Sequence, residues 1–198
     1  RCRRFDPDML VQLGYDAAAR AILFLPELTD VLVRDGRIAA IAPQLAAPEG
    51  TPLIDAAGQL LSPPFVDAHF HLDAALSHGL PRVNASGTLL EGIALWGELK
   101  PHLTQDAIVA RALAYCDWAV AKGLLAIRSH VDVCDPRLLA VEALLHVKAK
   151  VAPYLDLQLV AFPQDGALRS PGALDLLKRA LAMGVDVVGG IPHFERTM

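Results

Sequence analysis

Apolar and polar positions follow two different patterns along the chain, and the change falls near residue 63. Between residues 21 and 62 the apolar runs are short and separated by turn formers. Asp35-Gly36 lies between two such runs and predicts a β-hairpin, because glycine adopts the positive φ that a tight turn needs. The segment PLIDAAGQLLSPP predicts another strand, turn and strand. Residues 21–62 are therefore expected to form a small β-sandwich segment.

Beyond residue 62, short apolar runs alternate with longer segments of helical period. The predicted strands are FVDAHFH, LLAIRSHV, LDLQLVAF and VDVVGGI, and the predicted helices are 88–100, 105–123, 136–151 and 173–184. This order predicts an α/β fold with a parallel sheet, because parallel strands need crossover connections. Four such units are the first half of a (β/α)8 barrel. An open doubly wound sheet is the alternative, but it expects a glycine-rich turn that HFHLDAA does not offer.

Composition narrows the classes of protein that fit. Apolar residues make up 54% of the 198 residues and charged residues 20%, so the chain can bury a core and is not expected to be disordered. The formal net charge of -4 disfavours a nucleic-acid partner. No apolar run reaches the roughly 18 residues of a membrane span. Three scattered cysteines give no disulfide framework, and a cytoplasmic location is expected.

The two ends of the sequence suggest a piece of a longer chain. Residue 1 is arginine rather than methionine, and the last residues follow directly on a strand-like run. The expected organisation is an unassigned extension over residues 1–20, the β segment over 21–62, and a truncated barrel of four β/α units over 63–198.

The strongest chemical signal is the pair His69 and His71 at the end of the first barrel strand. Residues i and i+2 of a strand point to the same side, so both imidazoles can face one point at the mouth where such barrels place their active sites. Neutral imidazole binds zinc and ferrous iron well. The alternative is two histidines that alternate by chance, which the flanking Asp67 and Asp73 disfavour.

Several segments resemble a known family. DAAGQLLSPPFVDAHFHLD resembles the metal-binding opening of the amidohydrolase superfamily, and TDVLVRDGRIAAIAP resembles the β segment before it. The resemblance narrows to bacterial cytosine deaminases of the amidohydrolase type, over about residues 28–197. It is carried by PPFVDAHFHLDAAL, SGTLLEGI, RSHVDVCDPRLLA, VKAKVAPYLDLQLVAFPQDG and DVVGGIPHFE.

The resemblance implies a site with one divalent metal ion, Fe²⁺ or Zn²⁺, of which His69 and His71 are the first two ligands. It implies that Gln164 contacts the substrate amide edge, and that the backbone at Leu89 approaches a pyrimidine carbonyl. The family's general acid/base Glu, its third ligand His and its ligand Asp fall beyond Met198. No catalytic residue is thus expected within this chain, which should be inactive alone, and the full-length parent is expected to be a homo-oligomer.

Other candidates have more open roles. Asp73 either orients a ligand imidazole or caps its loop. His130 and Asp132 either line the pocket or form a buried hydrogen-bonded pair beneath it, and the buried pair is favoured. Phe162 is a pocket candidate, and His193 lies near the mouth with no assigned role.

The implied function is hydrolytic deamination of cytosine to uracil and ammonia by the parent enzyme, with a small heterocycle as its partner. One alternative is an amidohydrolase acting on another cyclic amine or amide, such as an aminated triazine. Another is a non-catalytic binding or assembly module. The zinc nucleoside-type deaminases are excluded, because their signature needs an HxE followed by PCxxC, and the sequence contains no PCxxC.

Overall fold

The computed structural model describes residues 2–5 and 24–195. The chain divides into two compact units, residues Arg1–Pro63 and Pro64–Met198, and each is described here by itself.

The first unit contains a three-stranded antiparallel sheet in the order β1-β2-β3. Its strands are β1 (Cys2–Phe5), β2 (Phe24–Arg34) and β3 (Arg37–Ala42). The predicted hairpin between β2 and β3 is confirmed, with both Asp35 (φ 51°) and Gly36 (φ 71°) in the left-handed region that its two-residue turn requires. Strand β1 lies in the stretch that the sequence left unassigned; most of that stretch is outside the described residues.

For PLIDAAGQLLSPP, the predicted turn is confirmed, but the two predicted strands on either side of it are wrong. Asp55 accepts a hydrogen bond from the Ala57 backbone N–H at 2.8 Å, and the chain reverses through Ala57 and Gly58. The flanking residues form no ladder beyond a single bridge at Leu60. Pro52 and the closing prolines remove donors that a ladder needs, and the Asp55 side chain satisfies the backbone locally instead.

The second unit is a mixed α/β structure around a parallel sheet, as predicted. The sheet has the order β4-β5-β6-β7, and all its neighbouring strands are parallel. The strands are β4 (Phe65–Phe70), β5 (Leu124–Asp132), β6 (Asp156–Phe162) and β7 (Val187–Val188). The helices are α1 (Leu89–Leu99), α2 (Gln105–Ala121), α3 (Leu139–Val151) and α4 (Ala173–Ala182). A short 3-10 turn, Lys100–His102, follows α1.

Two threonines start the first two helices where the sequence predicts them. Thr88 accepts a hydrogen bond from the Glu91 backbone N–H, and Thr104 accepts one from the Ala107 backbone N–H, each at 3.3 Å. These bonds satisfy donors that the first helical turn leaves free.

Two predicted boundaries shift. The helix expected from Pro136 begins at Leu139, because Asp135 first holds a turn by accepting from the Arg137 backbone N–H at 3.0 Å. The predicted strand VDVVGGI shortens to Val187–Val188, since glycines follow it directly and weaken a strand.

The core of the second unit lies between the sheet and helices α2, α3 and α4. Strand β6 is buried along nearly its whole length, as expected for a strand covered on both faces. The apolar side chains at 2% exposure or less include Leu72, Ile108, Ile127, Val131, Val141, Leu144, Val147 and Leu159. This core fixes the carboxyl ends of β4, β5 and β6, where the candidate site lies. Among helices in the described residues, none has the length and apolar character needed to cross a bilayer.

Gly189 lies tightly against strand β6. Its N–H donates to the Ala161 carbonyl at 2.8 Å, and a Cβ there would lie 2.7 Å from Val160 Cγ1. We expect Gly189→Ala to lower the free energy of unfolding by about 1–3 kcal/mol, because added atoms force a packed neighbour to shift. Gly190→Ala is the matched control, since a Cβ at Gly190 meets nothing within 4 Å. Urea denaturation of both variants measures the difference, and equal stabilities would contradict the close approach.

Candidate metal centre and substrate cavity

Three imidazoles meet at the carboxyl ends of β4 and β5. His69 lies in β4, His71 is the first residue after that strand, and His130 lies in β5. The parallel pairing places Phe70 beside Ser129, so the three histidines are brought together by register. One nitrogen from each ring lies within 4.8 Å of the others. His69 and His71 thus face one point, as their alternation predicts, and His130 joins them.

The rings are arranged in two different ways. His69 and His71 are edge to face, with centroids 5.4 Å apart and planes inclined by 60°. His69 and His130 are stacked, with centroids 4.0 Å apart and planes inclined by 24°. Phe162 lies edge-on to His71 at 5.6 Å and to His130 at 5.3 Å. The aromatic ring of Phe162 therefore closes the cluster from the β6 side.

The surroundings keep two of these imidazoles neutral. Burial, together with the neighbouring His130 and His69, lowers the pKa of His71 to about 4, against the opposing effects of Asp132 and a hydrogen bond to the His130 backbone. Burial, followed by His69, also lowers the pKa of His130. Neutral imidazole is the form that ligates a metal ion, so at neutral pH the His71 and His130 rings are in the protonation state that zinc or ferrous iron requires.

A cavity of about 540 Å³ opens beside this cluster. Its wall includes His69, His71, Leu89, Trp96, Phe162 and Gln164. Gln164 follows β6, and its backbone N–H donates to the Phe162 carbonyl at 3.0 Å. The cavity therefore combines imidazole nitrogens, two flat aromatic surfaces and one primary amide, which suits a small planar ligand with polar edges.

Asp73 caps its loop rather than touching an imidazole. Its Oδ2 accepts from the Asp132 backbone N–H at 2.9 Å, and its Oδ1 accepts from the Ala74 backbone N–H at 3.0 Å. Burial raises the pKa of Asp73 to about 7, against the hydrogen bond from the Asp132 backbone. Of the two roles left open by the sequence, these contacts support capping. They tie the segment after β4 to the end of β5 and so hold His71 in place.

The buried pair favoured for His130 and Asp132 does not form. The Asp132 carboxylate instead accepts from Trp96 Nε1 at 2.7 Å and from the Cys134 backbone N–H at 2.8 Å. It also pairs with Lys100 Nζ at 2.8 Å. The two side chains start from the same side of β5, but Asp132 lies at the strand end, where Trp96 of α1 and Lys100 of the following turn contact its carboxylate.

Sequence reasoning missed Trp96 and Lys100. Trp96 lines the cavity and donates to Asp132. Lys100 Nζ bridges Asp132 and Asp165, at 2.8 and 2.5 Å, and so ties the end of α1 to the ends of β5 and β6. The available signal was a tryptophan and a lysine four residues apart, which lie on one face of a helix.

The remaining candidates lie at the rim or outside the described part. Leu89 is the first residue of α1 and is exposed at the cavity edge. The backbone of His193 belongs to a 3-10 turn, Pro192–Phe194, but its side chain lies outside the part that the structure describes. Glu195 accepts from the Ala167 and Leu168 backbone N–H groups, the latter at 3.0 Å, and so joins two loops.

Comparison with known proteins shows the family to which the chain belongs. The amidohydrolase family model matches residues 52–198, and the chain belongs to the amidohydrolase family. The chain is 35% identical over 143 residues to N-isopropylammelide isopropyl amidohydrolase of Pseudomonas sp. (strain ADP), a match that covers 70% of this chain and 36% of that protein.

Solved structures give the same result. The structure is similar to 5-methylcytosine deaminase from Klebsiella pneumoniae liganded with phosphonocytosine, with a TM-score of 0.76, 43% identity, and coverage of 87% of this chain and 42% of that one. It is also similar to N-isopropylammelide isopropylaminohydrolase from Burkholderia multivorans, with a TM-score of 0.68, 33% identity, and coverage of 81% and 40%. The chain thus spans less than half the length of these relatives.

Proposed function

We propose that this chain supplies the first part of the active site of a metal-dependent amidohydrolase that deaminates an amino-substituted nitrogen heterocycle of the cytosine type. The observation that carries the proposal is the convergence of His69 and His71 on a cavity whose wall also bears Gln164. The 43% identity to a 5-methylcytosine deaminase supports the choice of ring.

The parallel sheet is, in this proposal, the first half of a (β/α)8 barrel. Its strand order runs in sequence without the reversal that defines a doubly wound sheet. In the described residues β4 and β7 each pair on one side alone, and Phe65, Val66 and Val188 are exposed by 64%, 68% and 58%. Further strands would cover these apolar edges. The antiparallel strands of the first unit would belong to a β-sandwich completed elsewhere in the parent.

The described residues fit one divalent metal ion, Zn²⁺ or Fe²⁺, with His69 and His71 as ligands. His71 is neutral at pH 7, and the nitrogens lie close enough together to share an ion. Such an ion supplies Lewis acidity and makes a water molecule nucleophilic near neutral pH.

The side chains of the cavity would bind and orient the ring. The Gln164 amide can donate to a ring carbonyl and accept from a ring N–H at the same time. Phe162 and Trp96 offer apolar faces to a flat ring and exclude water from it. Leu89 begins α1, so its backbone lies at the positive end of the helix dipole, which favours a carbonyl oxygen nearby.

The proton-transfer group is expected to come from elsewhere in the parent. Among the described residues that line the cavity, the titratable side chains are His69, His71 and Asp73, and none is a glutamate. Asp73 is committed to two backbone donors. We therefore propose that residues 1–198 alone do not turn over cytosine.

An aminated or alkylamino triazine is the second candidate substrate. It is favoured by the relatives named as isopropylammelide hydrolases, at 35% and 33% identity. Triazines and cytosine share a flat ring with adjacent donors and acceptors, so Gln164 serves both.

An assay of the full-length parent protein tests the proposed function. The chelated and Zn²⁺- or Fe²⁺-restored enzyme would be given cytosine, 5-methylcytosine and N-isopropylammelide, with ammonia or amine release measured. We expect metal-dependent turnover of a cytosine, and a KM raised at least about 10-fold by Gln164→Leu, because a site built to hydrogen-bond its substrate loses discrimination without those bonds. Turnover of the triazine alone would select the second candidate. No metal-dependent release from any of the three would refute the proposal.

A further inference from the structure

We propose that His130 is a positioning residue that holds the two ligand histidines in place and is not itself a metal ligand. The inference rests on the proposed metal site. Although one His130 nitrogen lies within 4.8 Å of nitrogens of His69 and His71, the ring orientation decides its role.

Stacking excludes shared coordination by His69 and His130. A metal ion lies in the plane of each imidazole that binds it, along the nitrogen lone pair. With centroids 4.0 Å apart and planes inclined by only 24°, the two planes converge far beyond the reach of a Zn–N bond, which is about 2.0–2.1 Å long. The planes of His69 and His71 are inclined by 60°, so they converge much nearer to their rings than the planes of the stacked pair do. The ion therefore has two imidazole ligands here, not three.

The location of His130 agrees with this assignment. His69 and His71 line the cavity, but His130 does not. Its Nδ1 is buried and has no hydrogen-bond partner in the described part of the chain. Its ring lies behind His69, with Phe162 against its edge at 5.3 Å. The stacked face therefore limits the rotation of the exposed His69 ring.

His130 also reaches the second ligand through its backbone. The His71 ring hydrogen-bonds the His130 backbone, which leaves the other His71 nitrogen free to bind a metal. The His130 ring hydrogen-bonds the backbone of Phe70, the residue between the two ligands. One residue of β5 thus fixes the ring orientations of both His69 and His71.

Two substitutions separate positioning from coordination. His130→Phe keeps a flat ring against His69 but removes both nitrogens, and His130→Ala removes the ring. Metal-free 198-residue chains would be titrated with Co²⁺, and the imidazoles bound to cobalt counted by X-ray absorption. Circular dichroism checks that each variant is folded.

We expect His130→Ala to weaken Co²⁺ binding about 10–100-fold, the usual effect of losing a group that supports a ligand. His130→Phe should bind Co²⁺ with an affinity within about threefold of that of the unsubstituted 198-residue chain, and the number of imidazoles bound to cobalt should remain two. The inference is overturned if His130→Phe binds cobalt through one imidazole fewer, or if His130→Ala binds Co²⁺ with unchanged affinity. Neither result would contradict the proposed metal site itself. A 198-residue chain that binds no Co²⁺ through imidazole overturns the inference, whereas the proposed function is tested separately by the assay of the full-length parent.

Discussion

Replacing His71 by alanine is expected to weaken Zn²⁺ binding by more than about 100-fold. Loss of a residue that only supports a metal ligand typically weakens metal binding about 10–100-fold, and loss of a ligand itself should weaken it more. His71 is half-buried, neutral at pH 7 and faces His69 across the cavity wall. Competition against a chromophoric chelator measures the affinity of the metal-free chain.

His146→Ala is the control for that experiment. His146 is an exposed residue of α3, outside the histidine cluster. Its removal should leave Zn²⁺ affinity unchanged, and both variants should unfold at the same urea concentration as the unsubstituted 198-residue chain. Equal losses of affinity in the two variants would show that zinc binds surface histidines rather than the cavity.

Replacing Lys100 by methionine is expected to lower the free energy of unfolding by about 3 kcal/mol. The Lys100 and Asp132 side chains are exposed by only 13% and 4%, and their charged atoms are 2.8 Å apart. Removing one partner of a buried ion pair leaves the other charge uncompensated, which costs about 3–5 kcal/mol. Trp96 and the Cys134 N–H still donate to Asp132, so the lower end of that range is expected. Urea denaturation measures it.

Lys178→Met is the matched control, because Lys178 and Asp175 form a pair 3.5 Å apart with side chains exposed by 74% and 82%. Its loss should change stability by less than about 0.5 kcal/mol. A similar small effect for Lys100→Met would mean that this lysine does not clamp α1 to the sheet.

The pH range of the Lys100 contribution follows from its pKa. Burial alone would lower the pKa of Lys100, but Asp132 and Asp165 raise it above its ordinary value. A raised lysine pKa stabilises the fold fully below the unfolded value of about 10.4 and ceases to do so as pH rises through the folded value. The difference in the free energy of unfolding between Lys100→Met and the unsubstituted 198-residue chain should therefore persist from pH 7 to 9.

The parallel sheet could be predicted because its strands are apolar runs separated by helices, the first two of which have threonine caps. Thr88 and Thr104 start their helices as expected. The failed strand prediction after Pro52 shows the limit of such patterns. Its apolar pairs match strand composition, but a strand needs a neighbour to bond with, and sequence alone does not show whether one is present.

Part of the site could also be predicted, and the reason is geometric. His69 and His71 are two residues apart on one strand, so their shared direction follows from the period of a strand. His130 lies more than fifty residues away in sequence, and its stacking on His69 depends on the register between β4 and β5. The partners of Asp132 depend on where α1 ends, which places Trp96 and Lys100 over the sheet. Such long-range contacts leave no local periodicity.

The most direct test of the central claim is an anomalous difference map at the zinc edge from a crystal of this chain grown with Zn²⁺. The account predicts one strong peak at the carboxyl end of β4, about 2.0–2.1 Å from one nitrogen of His69 and one of His71. It predicts that the His130 ring, stacked behind His69, lies outside bonding distance. A map whose zinc peaks all lie away from His69 and His71 would contradict the proposed metal centre.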